Sequence, residues 1–415
     1  MIHQTRNILF VLFLPLIMIG DAQFSFAAEN QIPFEKPAIY TLPEVIKLTE
    51  TKNFNSRIEF EHVMQAKRTA KAAQLHLIPH LSFSSILSNT SPTFLSIIGA
   101  AGDLLPFLFP TRWIQTKNAK LRSKVESETL TLMQEDASSL VEILAYAYRR
   151  DSEVLFAYDT LINRAYGALE ASDLIEKKKQ FPEGSTDHLK ATIQFMEADF
   201  AALEELRKED LLALSQAVGF HNPEAISELQ FTEESLPIER AVILNSKPVS
   251  DVAVEMALEL KQIDELVQIG RNQRKATYFS WLDPAGDYMS NLGFGLMDTV
   301  AVASSQIAEL ELKREQMQIG LVQNVYVAVA QYNQAIDQYP AVLEMAKLSE
   351  IRLNRVIFQL TPNSNLNTLD IQAVFQDYIS TEVRKANLLA SFRTARARIN
   401  RAVLADVYET NAFKN

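Results

Sequence analysis

Two long stretches of the sequence repeat apolar residues at alternating spacings of three and four. The first stretch follows an almost proline-free region and contains Ala137, Leu140, Leu144, Ala147, Asp151, Val154, Tyr158, Leu161, Ala165 and Ala168. Nine of these ten positions are apolar or small, and Asp151 is the exception. Such spacing places the residues on one helix face, in a coiled-coil seam that faces a partner helix. At 1.5 Å per residue, a helix of about 60 residues is a rod of roughly 90 Å.

The second stretch has the same spacing and also predicts a long helix. Its seam positions are Val322, Val325, Val329, Tyr332, Ile336, Tyr339, Leu343, Ala346, Glu350, Leu353 and Ile357. Pro340 interrupts this seam and predicts either a kink or a break between two stacked segments. Polar turns follow at 181–187 (FPEGSTD) and 361–368 (TPNSNLNT), and helices return over 188–218 and 369–408. The chain therefore predicts two long helical hairpins, each closed by a short polar tip.

Two other regions alternate with a period of two and predict β-hairpins at about 80–115 and 276–302. Leu81, Phe83 and Ser85 alternate with other residues in the first region, and Leu292, Phe294 and Leu296 do so in the second, where 278–281 also reads as strand. Each region has room for two strands of about ten residues, the length of a tilted membrane strand. Four strands are too few to close a barrel, so several chains must contribute to one sheet.

The two halves of the chain resemble each other. Residues 41–83 and 235–282 share a Leu-Pro pair, two helical runs and a strand-like end. This comparison aligns Leu42-Pro43 with Leu236-Pro237, and Phe54-Asn55-Ser56 with Pro248-Val249-Ser250. It predicts a duplicated architecture, with a first repeat over 28–231 and a second over 232–410.

The first residues have the pattern of a secretory signal peptide over 1–27. An apolar run spans Ile8 to Ile19, and Ser25 and Ala27 supply small residues before a cleavage site. The run is too short for a membrane helix, although an uncleaved N-terminal anchor is the alternative. We therefore expect the mature chain to be exported.

Composition narrows the classes of function. The net charge is -11, from 51 acidic and 40 basic residues, which argues against a nucleic-acid partner. The absence of cysteine excludes a thiolate metal site, and 11 glycines include no phosphate loop. The six histidines show no metal-ligand spacing with one another or with an acid. We therefore expect no enzyme activity, no cofactor and no metal.

From about 42 to 405, the sequence resembles the TolC-like outer-membrane efflux proteins. The resemblance rests on TLPEVIKLTETKNFNSR at the first helix, LLALSQAVGFHNPEAISEL between the halves, and NLGFGLMDTVAVASSQIAELELKREQ at the return to the coiled coil. It implies a mainly α fold with a small β part. The resemblance further implies a homotrimer with a β-barrel in the outer membrane and a periplasmic helical tunnel. The implied partners are outer-membrane lipid, a periplasmic adaptor protein and an inner-membrane transporter.

The resemblance also assigns roles to particular residues. Asp187 and Asp370 are candidates for a ring of acids at the periplasmic entrance, although both also suit a helix N-terminus. The tip residues implied for adaptor contact are Pro182, Gly184, Ser185, Pro362, Asn363 and Ser364. Trp113 and Trp281 are membrane-interface candidates, and for Trp281 a core position is the alternative.

Four arginines cluster late in the last helix, at Arg393, Arg396, Arg398 and Arg401. They predict either a contact with lipid headgroups or a partner, or a solvated helix face. For the whole chain the sequence favours a passive export duct of an efflux or type I secretion system. The alternatives are a periplasmic structural coiled-coil protein without pore activity and an exported enzyme.

Overall fold

The computed structural model describes residues 35–77, 106–178, 184–231, 237–279, 295–359 and 368–405. The predicted signal peptide lies outside these residues. The elements, in chain order, are β1 (Ala38–Thr41), α1 (Leu42–Lys52), α2 (Phe54–Leu75), α3 (Pro110–Lys177), α4 (Ser185–Val218), β2 (Ile226–Gln230), α5 (Ser246–Met256), α6 (Leu258–Phe279), α7 (Gly295–Phe358) and α8 (Thr368–Val403). Short 3₁₀ turns lie at Pro106–Leu108 and Ile238–Arg240. The mainly α fold that the sequence predicts is confirmed.

The helices repeat in length as well as in order. In the first half they span 11, 22, 68 and 34 residues, and in the second 11, 22, 64 and 36. At 1.5 Å per residue, the two longest helices extend for about 100 Å. The exact division of the chain into 28–231 and 232–410 stays a prediction.

The alignment that the sequence suggests between the halves is wrong by about ten residues. α1 has Pro43 in its first turn, and its structural counterpart α5 has Pro248 there, whereas Pro237 precedes a 3₁₀ turn. Proline is favoured in the first turn of a helix, because its missing N–H would have no partner there. The second half contains two prolines that meet this condition by sequence, so the pattern alone selected the wrong one.

Polar side chains fix the ends of the short helices. The carboxylate of Glu44 accepts a hydrogen bond from the backbone N–H of Thr41 (2.8 Å) at the start of α1. Asn53 lies between α1 and α2, where its side chain accepts from the N–H of Ser56 (3.1 Å) and donates to the carbonyl of Ala217 (2.7 Å). These contacts satisfy helix-terminal groups and join the α1–α2 corner to the end of α4.

The link between the halves turns at Gly219 and then forms a strand. Gly219 has φ +93°, a left-handed conformation, and a Cβ at this position would lie 2.4 Å from the carbonyl oxygen of Lys52. Both observations require glycine. The chain continues into β2, which pairs in parallel with β1. The sequence did not indicate this two-stranded sheet.

Three large apolar clusters and a small one around Ile263, Val267 and Ile307 form the core of the described part of the chain. One is built from the first half, around Val45, Val141 and Leu214, and one from the second half, around Val329 and Phe392. The third contains residues of α3, α4, α7 and α8. The two halves therefore have separate cores and share the packing of their long helices.

The predicted seam of α3 is confirmed in part. Val154, Leu161, Ala165 and Ala168 are buried, and Tyr158 is half-buried. Before Asp151, however, the buried residues include Val141, Ala145 and Tyr148, one position after those predicted, together with Tyr146, and Leu140 is exposed. Two successive steps of three, from 148 to 151 to 154, rotate the buried stripe around the helix. In α7 the predicted break at Pro340 is wrong, because one helix continues through this residue.

The predicted β-hairpins lie mostly outside the described residues. Where their ends are described, they are helical: 110–115 belong to α3, 276–279 to α6 and 295–302 to α7. The strand prediction is wrong at these positions, since alternation over three or four residues does not distinguish a strand from a helix end. Within the described ranges, no helix combines the length and hydropathy needed to cross a membrane.

Candidate functional site

The tips of the two helical hairpins lie at the same end of the molecule. Residues close to both tips pack in one apolar cluster, which includes Leu161, Ala165, Ala168, Leu189, Ile193, Leu353, Val356, Ile371 and Val374. These side chains come from the last turns of α3 and α7 and from the first turns of α4 and α8. The shared cluster therefore places any group at one tip near the other tip.

The carboxylate of Glu176 holds the first tip closed. It accepts hydrogen bonds from the N–H groups of Gly184 (2.7 Å) and Thr186 (3.0 Å) and from the hydroxyl of Thr186 (2.5 Å). The N–H groups at a helix start lack partners within the helix, so Glu176 at the end of α3 caps α4. The hydrogen bond from the Thr186 hydroxyl, and next those from the backbone, lower the pKa of Glu176. Sequence reasoning missed this residue, because nothing in its spacing marks it.

Asp187 and Asp370 occupy equivalent positions, each the third residue of its helix. Both are exposed, and the Asp187 carboxylate lies 3.6 Å from Nζ of Lys190. Their position at the shared tip end is compatible with an entrance acid and also with the general preference for acids in a first helical turn.

Of the predicted tip residues, Gly184 precedes α4 with φ +85° and Ser185 begins α4. The others, Pro182, Pro362, Asn363 and Ser364, lie outside the described residues, as does Trp281 of the membrane-interface pair.

Asp151, the exception in the α3 seam, is buried beside Asp210 of α4. Nε of Arg150 donates a hydrogen bond of 2.5 Å to Oδ1 of Asp151. The pKa of Asp210 is raised to about 6, mainly because its carboxyl group is buried and next because the charge of Asp151 is close. The Oδ2 oxygens of both aspartates are buried without a hydrogen-bond partner among the described residues. If Asp210 holds a proton, it can donate a hydrogen bond to Asp151, and the two oxygens then become each other's partners.

The arginines at the end of α8 make contacts within the chain, and both sequence interpretations are wrong for the two that the structure pairs most fully. Arg393 is buried and lies 3.4 Å from Glu153 of α3. Arg401 bonds to Asp136 of α3 (2.6 Å) and to Glu259 of α6 (2.9 Å). These residues join α8 to α3 and α6, so they are neither a solvated face nor a lipid contact.

Trp113 is exposed. Its Nε1 donates to the carbonyl oxygen of Phe107 (2.8 Å), and Phe107 and Leu108 are also exposed. The three side chains lie just before α3 and in its first turn, within the region of about 80–115 that the sequence predicted as a β-hairpin.

Large apolar side chains remain uncovered along the long helices. On α7, Leu312, Ile319 and Tyr326 are exposed at intervals of seven residues, and we call these three the outer seam. Phe156 on α3 is 74% exposed, Phe195 on α4 is 73% exposed and Phe358 at the end of α7 is 85% exposed. Seven-residue spacing places side chains on one helix face, so the outer seam has the form of a coiled-coil contact without its partner.

Solved structures match this architecture over most of the chain, whereas no protein-family model and no curated protein matches the sequence. The CmeC outer-membrane channel of Campylobacter jejuni has a TM-score of 0.69 and 11% identity, over 87% of this chain and 85% of that chain. The open state of the MtrE outer-membrane channel of Neisseria gonorrhoeae has 0.66 and 12%, over 88% and 89%. The outer-membrane protein VceC of Vibrio cholerae has 0.66 and 10%, over 87% and 95%. The chain therefore has the fold of the outer-membrane channels, the fold that the TolC-like resemblance predicted.

Proposed function

We propose that three copies of this chain form an outer-membrane duct for efflux or type I secretion, with a periplasmic extension that meets an adaptor and an inner-membrane pump. The observation that carries the proposal is the fold of an outer-membrane channel combined with an apolar outer seam that a single chain leaves uncovered. An isolated duplicated hairpin protein would not need such a seam.

Burial of the outer seam favours association. Covering a Leu, Ile or Tyr side chain contributes on the order of 1.5–3 kcal/mol, so three such positions per contact offset much of the cost of assembly. Closed rotational symmetry repeats one contact between each pair of neighbours, and it encloses a bore. Three copies also pool the predicted hairpins, which one chain cannot close into a sheet.

The tips are proposed as the periplasmic end of the duct. Asp187 and Asp370 would repeat around the entrance in every copy, six carboxylates on one rim in a trimer. Their combined charge would favour cations and disfavour anions at this constriction. Gly184, Ser185 and the tip residues outside the described ranges are the proposed adaptor contact.

The opposite end of the long helices is proposed as the membrane end. Trp113, Phe107 and Leu108 are exposed there, and indole side chains are enriched at the boundary between lipid and water. In this proposal the duct performs no chemistry, so the energy for export comes from the inner-membrane pump.

The test begins with the assembly state of untagged protein from the outer-membrane fraction. We expect a species of three chains in detergent by light scattering, and steady conductance in planar lipid bilayers. Ile319→Glu places a charge in the outer seam and should yield monomers with unchanged helix content. Asn324→Glu is the matched control, because it adds the same charge at an exposed position of α7 about 140° around the helix.

Two results would refute the duct. A wild-type chain that stays monomeric and is released from membranes by carbonate indicates the periplasmic structural protein instead. Equal dissociation by Ile319→Glu and Asn324→Glu would show that the outer seam is not the contact.

A further inference from the structure

One cluster of metal-ligating side chains joins α2 to α3. Glu59 and His62 lie one turn apart on α2, and Glu126 of α3 faces them. Ligand atoms from all three residues lie within 4.8 Å of one another. Nδ1 of His62 is 3.3 Å from Oε2 of Glu59, so the imidazole is directed at the carboxylate. The sequence analysis predicted no metal site, because Glu126 is far along the chain from Glu59 and His62.

Glu59 is placed where a lone carboxylate is unfavourable. It is 5% exposed, and its Oε1 is buried with no hydrogen-bond partner in the described part of the chain. The pKa of Glu59 is raised, mainly because its carboxyl group is buried and next because Glu126 is close. A buried acceptor without a donor costs about 1–3 kcal/mol, and a second carboxylate beside it adds repulsion. A cation bound where these oxygens converge would offset both penalties.

We infer that Glu59, His62 and Glu126 form a binding site for a zinc ion. An imidazole nitrogen and two carboxylate oxygens are ligands that Zn²⁺ accepts, and two carboxylates neutralise its double charge. Three protein ligands leave the fourth tetrahedral position for water. Mg²⁺ and Ca²⁺ are less suited, because they prefer oxygen ligands only and need more of them.

The site is open to solvent. His62 is 54% exposed, and with Gln65, Arg122 and Glu126 it lines a groove of about 490 Å³. An ion can therefore enter from the periplasmic solution without unfolding α2. Arg122 contributes a positive charge to the same groove, which lowers the affinity for a cation, and Arg122→Gln should increase it.

Bound zinc would connect two helices that otherwise meet through side-chain packing. Because the ligands come from both α2 and α3, binding stabilises the folded chain by mass action. None of its three ligands belongs to the tips or the outer seam, so the inference does not depend on the proposed duct.

The test uses full-length protein without a histidine tag, treated with EDTA and titrated with ZnCl₂ in a calorimeter. We expect one Zn²⁺ per chain, a higher thermal midpoint with Zn²⁺, and no comparable effect of MgCl₂. His62→Ala and Glu126→Gln should each weaken binding by about tenfold or more. His188→Ala is the matched control, since it removes an exposed histidine at the first tip and should leave binding unchanged.

Two further measurements separate a site from an adventitious effect. Substitution with Co²⁺ should give visible absorption typical of a nitrogen- and oxygen-ligated tetrahedral ion in the wild type, and His62→Ala should abolish it. Circular dichroism checks that each variant is folded. Absence of stoichiometric Zn²⁺ binding, or binding that survives His62→Ala, would overturn the inference.

Discussion

The two aspartates between α3 and α4 predict a stability that falls as pH rises. Asp210 is half-buried beside Asp151, and its pKa is raised from 3.8 to about 6. The folded chain therefore holds a proton on Asp210 that the unfolded chain releases at lower pH. Stability from this group is fully present below about pH 4, and it is lost as pH rises to about 6.

The magnitude follows from that pKa difference. About two pH units correspond to a ceiling of ~3 kcal/mol at neutral pH. Since Asp210 is partly exposed, solvent screening reduces this ceiling, and we expect about 1–1.5 kcal/mol. Asp210→Asn cannot ionise, and its amide can still donate a hydrogen bond to Asp151. The variant should therefore not lose stability at neutral pH through ionisation at this position.

The assay is thermal unfolding of wild type and variant in one detergent from pH 4 to pH 8. The Asp210→Asn midpoint should exceed that of the wild type by roughly 1–2 °C above pH 6.5, with a gap that closes toward pH 4. Glu205→Gln removes the same charge from an exposed position of α4 and should show no such pH dependence. A gap that is constant from pH 4 to pH 8, or one that Glu205→Gln reproduces, would refute the reasoning.

Two further changes test local geometry. Gly219→Ala should lower the free energy of unfolding by about 3 kcal/mol or more, because its Cβ meets the Lys52 carbonyl in a left-handed backbone conformation. Gly320→Ala, in the middle of α7 with open space around it, should raise it by about 0.5–1 kcal/mol, and equal losses by chemical denaturation would contradict both. Glu176→Ala should speed amide hydrogen exchange at 184–187, with a smaller effect for Glu176→Gln, because the carboxylate caps α4. Unchanged exchange at these amides would show that Glu176 does not hold the first tip.

The long helices were predictable from the sequence because their signal repeats over many turns. A spacing of three and four that persists from Val154 to Ala168 has one physical interpretation, a helix with one buried face, and four of the five positions are buried. The same reasoning failed where the signal is short. The alternation that ends at Leu296 includes only three apolar residues, and so short a pattern also occurs at the end of a helix.

Contacts between distant residues were not predictable, because they depend on how the hairpins dock. Arg401 reads as part of a basic cluster, yet its partners Asp136 and Glu259 come from two other helices. Glu59 and Glu126 are likewise separated by a predicted strand region. A single sequence records which residues share a helix face, and it does not record which faces meet.

The outer seam is a row of apolar side chains on α7 that the contacts within one chain do not bury. α7 already buries Val325, Val329 and Tyr332 against α5 and α8, so its need for an intrachain partner is met. Leu312, Ile319 and Tyr326 nevertheless form a second apolar row on the same helix. Polar residues there would cost a monomer nothing and would protect it from aggregation. In the proposed duct, this second row at seven-residue spacing packs against another copy of the chain, and the same contact repeats around the bore.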